Sequence, residues 1–156
     1  MKLGTTFATI IAILALVISC MGCPRQQSDG PEAVPMVVSS HEAAAIEWSA
    51  DWDAAFAQAR TQRKAVLVTF YADWCIWCKR FEDTTLADNH VAAYLADTVV
   101  ALRLDVDGNG RERSNEYEVD GLPTILLFDA EGREIGRIPG YMPPGAFLEQ
   151  VRGLLS

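Results

Sequence analysis

Tyr71-Ala72-Asp73-Trp74-Cys75-Ile76-Trp77-Cys78-Lys79 joins two segments of different character. Before it, Ala65-Val66-Leu67-Val68-Thr69-Phe70-Tyr71 is apolar and β-branched without clear alternation, the pattern of a strand buried on both faces. After it, the residues to about Leu86 read as helix. A Cys-x-x-Cys pair at such a junction has a defined chemistry. A sulfur at a helix N-terminus faces unpaired backbone N–H groups and the positive end of the macrodipole, and both favour thiolate over thiol. The usual result is to lower a free cysteine pKa of about 8.5 into the range of about 3.5–7.5. Cys75 is then a nucleophile at neutral pH. Cys78, one turn along on the same face, is placed to attack a mixed disulfide formed at Cys75, which completes a two-electron dithiol/disulfide cycle.

Other uses of the pair fare worse. Zinc needs four protein ligands, or three and water, and the chain offers only His41 and His90, both far from the pair. Haem attachment needs His directly after the second cysteine, where Lys79 stands. A purely structural disulfide closing so short a ring stabilises little. Two soft sulfurs can bind Cu(I), so a copper metallochaperone stays open beside the redox reading. No metal site and no cofactor is assigned.

Working outward, Trp52, Ala55, Phe56 and Ala59 recur at helical spacing within Asp51 to Gln62. Asp88 reads as the cap of a second, turn-rich piece through Leu95, Thr98 to Asp105 as a strand, Arg111 to Tyr117 as a short helix and Thr124 to Phe128 as a third strand. Ala130-Glu131-Gly132 is a turn to Glu134-Ile138, spaced for an antiparallel hairpin, and Gly145 to Leu155 closes as a helix. Strands that alternate with helices and end in a hairpin predict an α/β fold: a central mixed sheet flanked by helices on both faces. Half of the 156 residues are hydrophobic, enough for one domain with a core. The formal net charge is −8 and the basic residues do not cluster, which argues against nucleic acid as a partner.

The first 23 residues differ from the rest. Lys2 precedes an uncharged stretch from Leu3 to Cys23 containing Ile10-Ile11-Ala12-Ile13-Leu14-Ala15-Leu16-Val17-Ile18, an export segment. Val17-Ile18-Ser19-Cys20 resembles the lipobox of bacterial lipoproteins, which makes Cys20 the candidate lipidation site. Retention as an uncleaved anchor and simple cleavage are the other two outcomes. All three put the remainder outside the cytoplasm, in the cell envelope. Residues 24–45, rich in Pro, Gly, Ser and charge, read as a flexible linker, and 46–156 as the folded domain. Cys20-Met21-Gly22-Cys23 repeats the Cys-x-x-Cys spacing with no strand before it and is not read as redox-active.

The junction motif resembles the thioredoxin superfamily. Tyr-Ala-Asp-Trp-Cys-x-x-Cys-Lys followed by Phe81-Glu82 is most similar to the C-terminal thioredoxin-like domain of the thiol:disulfide interchange protein DsbD. A second, separate element agrees: Gly121-Leu122-Pro123-Thr124-Ile125-Leu126-Leu127-Phe128 corresponds to the family's cis-proline loop and the strand after it. The resemblance covers about residues 46 to 155 and implies a thioredoxin fold. It implies further that Pro123 is cis and faces Cys75, with the backbone around Leu122 open to an extended substrate segment. Trp74 and Trp77 become docking residues, and Tyr141, after Gly140, a border of the site. Glu82 matches an acidic residue near the family's cysteine pair, whose negative charge opposes the helix dipole. Thr69 departs from the pattern, since an Asp that assists proton transfer to and from the second cysteine stands there in the family.

The activity this implies is thiol:disulfide exchange on protein disulfide substrates by an envelope-tethered oxidoreductase, with reduction the favoured direction. A separate thiol electron donor, such as a membrane disulfide reductase, recharges the pair. The alternative is a thioredoxin-fold binding module without catalysis, or the copper metallochaperone. One further motif is misleading. Asp105-Val106-Asp107-Gly108-Asn109-Gly110 with Glu116 fits the EF-hand loop pattern, but it follows a strand instead of a helix and puts Arg111 and Arg113 at ligand positions. Turn formation and helix capping are the expected role.

Overall fold

The computed structural model describes residues 45–156; Cys20, Cys23, the export segment and nearly all of the linker lie outside the described residues. Five strands form one sheet: β1 (Trp48–Ser49), β2 (Ala65–Tyr71), β3 (Val99–Asp105), β4 (Thr124–Phe128) and β5 (Glu134–Pro139), in spatial order β1-β3-β2-β4-β5. β1, β3 and β2 run parallel, and β4 and β5 are antiparallel to their neighbours. The helices are α1 (Trp52–Gln62), α2 (Ile76–Arg80), α3 (Asn89–Thr98), α4 (Arg111–Glu116) and α5 (Pro144–Leu154). The predicted mixed sheet is the observed one.

Parity along β2 explains why its sequence does not alternate. Val66, Val68 and Phe70 pack with Ala55, Phe56 and Ala59 of α1, and Leu67 packs on the opposite side with Phe81, Val91, Leu95, Phe147 and Val151. Both faces of a central strand are covered, so both sets of side chains must be apolar. On the α1 side Phe128 meets Phe56, Trp52 and Tyr117 edge-on, and on the other side Phe81 meets Phe147 edge-on at 5.1 Å between centroids. Such pairs add about 0.5–1.5 kcal/mol each beyond the area they bury. The same parity puts Thr69 of β2 and Arg103 of β3 on the α2 side, where they are register partners.

Three elements differ from the sequence reading. β1 is two residues long, too short to show any period. α3, capped by Asp88 through bonds from the His90 and Val91 N–H groups, runs on to Thr98 instead of Leu95, where the Thr98 hydroxyl donates to the Tyr94 carbonyl and the Val99 N–H to the Leu95 carbonyl. The helical stretch after Cys78 widens at Phe81–Leu86 into a π-helical turn, with the Ala87 N–H donating to the Glu82 carbonyl. Such widened turns are frequent at functional sites. The hairpin turn forms as read, and Gly132 takes a φ of +92°, open to glycine at no steric cost. No helix among the described residues is long and apolar enough to cross a membrane.

Candidate active site

β2 ends at Tyr71, and Ala72 to Cys75 turn the chain into α2, with the Cys75 N–H donating to the Ala72 carbonyl. Cys75 is the N-cap of α2: its backbone is extended, and its Sγ accepts the Cys78 N–H at 3.1 Å. The sulfur thus occupies the place a Ser or Asp oxygen takes in an ordinary cap. Cys75 and Cys78 are joined as a disulfide, Cα to Cα 5.2 Å. Both are nearly buried, at 7% and 3% exposure, beneath an otherwise open rim.

Two hollows of opposite character flank the disulfide. One is an apolar groove of about 630 Å³ walled by Trp74, Ile76, Trp77, Val106, Val119 and Leu122. Three of these are the large hydrophobic side chains most exposed on the described surface: Trp74 at 69%, Ile76 at 81% and Trp77 at 53%. Exposed apolar side chains gathered around one reactive group mark a contact site better than the same residues scattered. The other hollow, about 140 Å³, is polar and is bordered by Tyr71, Cys75, Cys78, Glu82 and Arg103.

The groove walls are tied in place. The Trp74 Nε1–H donates to Asp107 Oδ2 at 2.7 Å. Asp107 is held in turn by its own N–H on Asp105 Oδ1 and by Arg111 donating to its carbonyl. Gly110 completes this loop because a Cβ there would meet the Leu104 Cβ at 2.7 Å and the Asp105 carbonyl at 2.9 Å. The loop that resembles an EF-hand therefore follows β3, as expected, and its side chains make turn, Trp74 and Ala50 contacts. Trp77 leans on Tyr141 at 5.8 Å, with the Arg80 guanidinium over both rings. The Tyr141 phenol lies below the ordinary tyrosine range, chiefly through its hydrogen bond with Thr84 and secondarily through the charge of Arg80.

The Leu122–Pro123 peptide bond is cis. The Pro123 carbonyl accepts the Gly140 N–H at 2.7 Å, which fastens this loop to the one bearing Tyr141, and the Gly121 carbonyl accepts the Thr124 hydroxyl. Among the described residues the main chain of Leu122 has no hydrogen-bond partner. Leu122 packs directly on the cysteine pair.

Of the residues read from the domain sequence, Trp74, Trp77 and Leu122 share the groove with Cys75, Glu82 shares the hollow with Cys75 and Cys78, Tyr141 stacks on Trp77, and Pro123 follows Leu122 in the chain. Glu82 forms an ion pair with Arg103, so its negative charge beside the sulfurs has a cation against it. Arg103 escaped the sequence reading because it sits inside a strand pattern. A single cation in the apolar run Val99–Leu104 was the available signal.

The sequence pattern of the thioredoxin-like domain family matches residues 52–154. The chain belongs to the thioredoxin-like family. Among curated relatives, the thiol:disulfide interchange protein DsbD of Yersinia enterocolitica is 46% identical over 106 residues, 65% of this chain and 18% of that protein. DsbD of Cronobacter sakazakii is 36% identical over 149 residues, 91% of this chain and 25% of that protein. The chain thus spans a quarter or less of the length of these relatives. A solved thioredoxin of Thermus thermophilus superposes with TM-score 0.64 at 27% identity, covering 70% of this chain and 87% of the other. A structure titled DsbH oxidoreductase also gives 0.64, at 22% identity, covering 86% and 94%, a likeness of fold. The fold of this thioredoxin-like chain is the thioredoxin fold the resemblance implied.

Proposed function

We propose that this protein is a thiol:disulfide oxidoreductase acting on protein substrates in the bacterial cell envelope, held there through its N-terminal segment by a lipid on Cys20 or by an uncleaved anchor, and working as a reductase. The observation that carries the activity is a disulfide whose first sulfur caps a helix while opening on an exposed apolar groove. In the reduced protein the Cys75 thiolate attacks a substrate disulfide. One substrate sulfur leaves with the electron pair and takes a proton. Cys78 then loses its proton and displaces the second substrate sulfur, so two electrons pass to the substrate and the Cys75–Cys78 disulfide returns.

The substrate segment lies along Leu122, whose main-chain groups are free to pair with an extended strand, and its apolar side chains rest between Trp74, Trp77 and Leu122. Glu82, four residues after Cys78 on the same helical face, receives the Cys78 proton. A separate thiol donor, in the manner of a membrane disulfide reductase, reduces the pair again. The similarity to DsbD supports both the envelope location and this exchange.

The test is insulin-disulfide reduction by the full chain with a thiol donor. Wild type is active and Cys75→Ser is not; equal rates defeat the proposal in favour of a binding module. For the direction, the oxidised protein unfolds at a higher temperature than the reduced one if the role is reductive, and the reverse order makes it an oxidant.

A further inference from the structure

Thr69 cannot take up a proton at neutral pH, yet Cys78 must lose one before it can resolve the mixed disulfide. Across the sheet from Thr69, in direct register on β3, stands Arg103. Its guanidinium lies 3.9 Å from the centroid of the Tyr71 ring and donates from NH2 to Glu82 Oε1. Its Nε is buried without a protein partner, as is the Thr69 hydroxyl beside it, a side chain only 2% exposed. Buried polar atoms of this kind are normally satisfied, by ordered water where protein offers nothing. Glu82 itself opens the π-helical turn by giving its carbonyl to the Ala87 N–H. Its carboxylate is held by the planar guanidinium of Arg103.

We propose that Arg103 is the positioning residue of the resolving step: stacked on Tyr71, it holds the Glu82 carboxylate at the polar hollow shared with Cys78, so that the proton of Cys78 leaves through Glu82. This rests on the oxidoreductase reading and adds a residue to it. The step balances. The Cys78 S–H bond breaks, and its proton passes through solvent in the hollow to Glu82 and then to bulk water. The electron pair left on Cys78 forms the bond to Cys75 Sγ. The Cys75–substrate S–S bond breaks with its pair on the substrate sulfur, which is protonated by solvent. A hollow of about 140 Å³ has room for water, which takes up about 30 Å³ per molecule. The other titratable groups that border it are Asp73 and Lys79 from the α2 entry and Tyr71 from β2. Lys79 is paired with Asp83 at the surface and Asp73 is exposed at the entry, while Glu82 and Arg103 are ion-paired and less exposed, reaching in from the helix and sheet sides.

The experiment follows the two sulfurs separately. The full chain with Cys20→Ser and Cys23→Ser, reduced and in slight excess, is mixed with 4,4′-dithiodipyridine, a neutral disulfide that releases one absorbing thiopyridone per attack. The first release reports Cys75 and the second Cys78. Arg103→Gln slows the second release roughly tenfold near pH 7, part of what a positioned base provides, and leaves the first within about twofold. Glu82→Gln does the same, and the double variant is no slower than Glu82→Gln alone, the sign of one shared pathway. Arg103→Lys, which keeps the charge without the fork and guards against misfolding, falls between wild type and Arg103→Gln. A second release at wild-type rate in Arg103→Gln overturns the proposal, as do equal slowing of both phases or additive effects in the double variant. Failure of the wild type to give any second release instead overturns the oxidoreductase reading on which it rests.

Discussion

The apolar groove and the polar hollow lie on either side of one disulfide, and almost nothing about them is alike. The groove is broad, open and walled by exposed tryptophans, while the hollow is less than a quarter its size and holds an ion pair. The contrast follows from what each side exchanges with its surroundings. A protein partner must desolvate apolar area to gain affinity, so its side needs large, pre-set hydrophobic walls. A proton needs only a small polar passage with room for water.

This division of labour predicts different kinetic signatures for the two sides. The largest effect comes from the partition itself. Cys78→Ser should lower turnover on the order of 1000-fold and accumulate substrate bound through Cys75, visible as a non-reducing gel band that dithiothreitol dissolves. Next is the groove. Leu122→Ala removes an apolar wall without adding a charge beside the sulfurs and should raise KM roughly tenfold, about 1.4 kcal/mol, with kcat held within about twofold. A fall in kcat alone would mean that the two sides are not separable. Asp107→Ala releases the Trp74 indole, and its expected cost is smaller: about threefold in KM, a change in tryptophan fluorescence, and recovery in Asp107→Asn, whose amide oxygen still accepts the indole N–H.

The smallest effect is spectroscopic and concerns the rim. Tyr141 should ionise before an ordinary tyrosine, because Thr84 and Arg80 favour its phenolate. Tyr117, packed against Trp52 and Phe128, should ionise after one, because burial, and then the charge of Glu116, disfavour it. An alkaline absorbance titration loses its earliest step in Tyr141→Phe and its later one in Tyr117→Phe. For stability the sign follows from the raised folded value of Tyr117. Its contribution is intact below about pH 10, where the phenol is neutral in both states, and declines as pH rises through the folded pKa.

How much of this the sequence disclosed depended on distance along the chain. β2 and β4 were legible because double-sided burial writes itself into consecutive residues, and the cysteine pair and Pro123 because their motifs are local. Of the groove walls, Trp74, Trp77 and Leu122 followed from those motifs, while Ile76, Val106 and Val119 did not. The π-helical turn at Phe81–Leu86 was not legible, since its residues suit an ordinary helix and its contacts, Phe81 with Phe147 and Thr85 with the Met142 carbonyl, are distant in sequence. The Trp74–Asp107 and Glu82–Arg103 contacts span 33 and 21 residues and depend on strand register, which no spacing rule reveals. For that reason the partner of Glu82 was missed: its neighbour in space was invisible in its neighbourhood in sequence.

The cap at residue 75 bears on how any knockout of this protein is to be judged. An alanine there deletes the acceptor of the Cys78 N–H together with the nucleophile, and loss of an N-cap alone costs about 1 kcal/mol. Serine keeps an oxygen in the acceptor's place. An inactive alanine variant is therefore ambiguous between chemistry and an unravelled first turn, whereas an inactive serine variant speaks to sulfur alone.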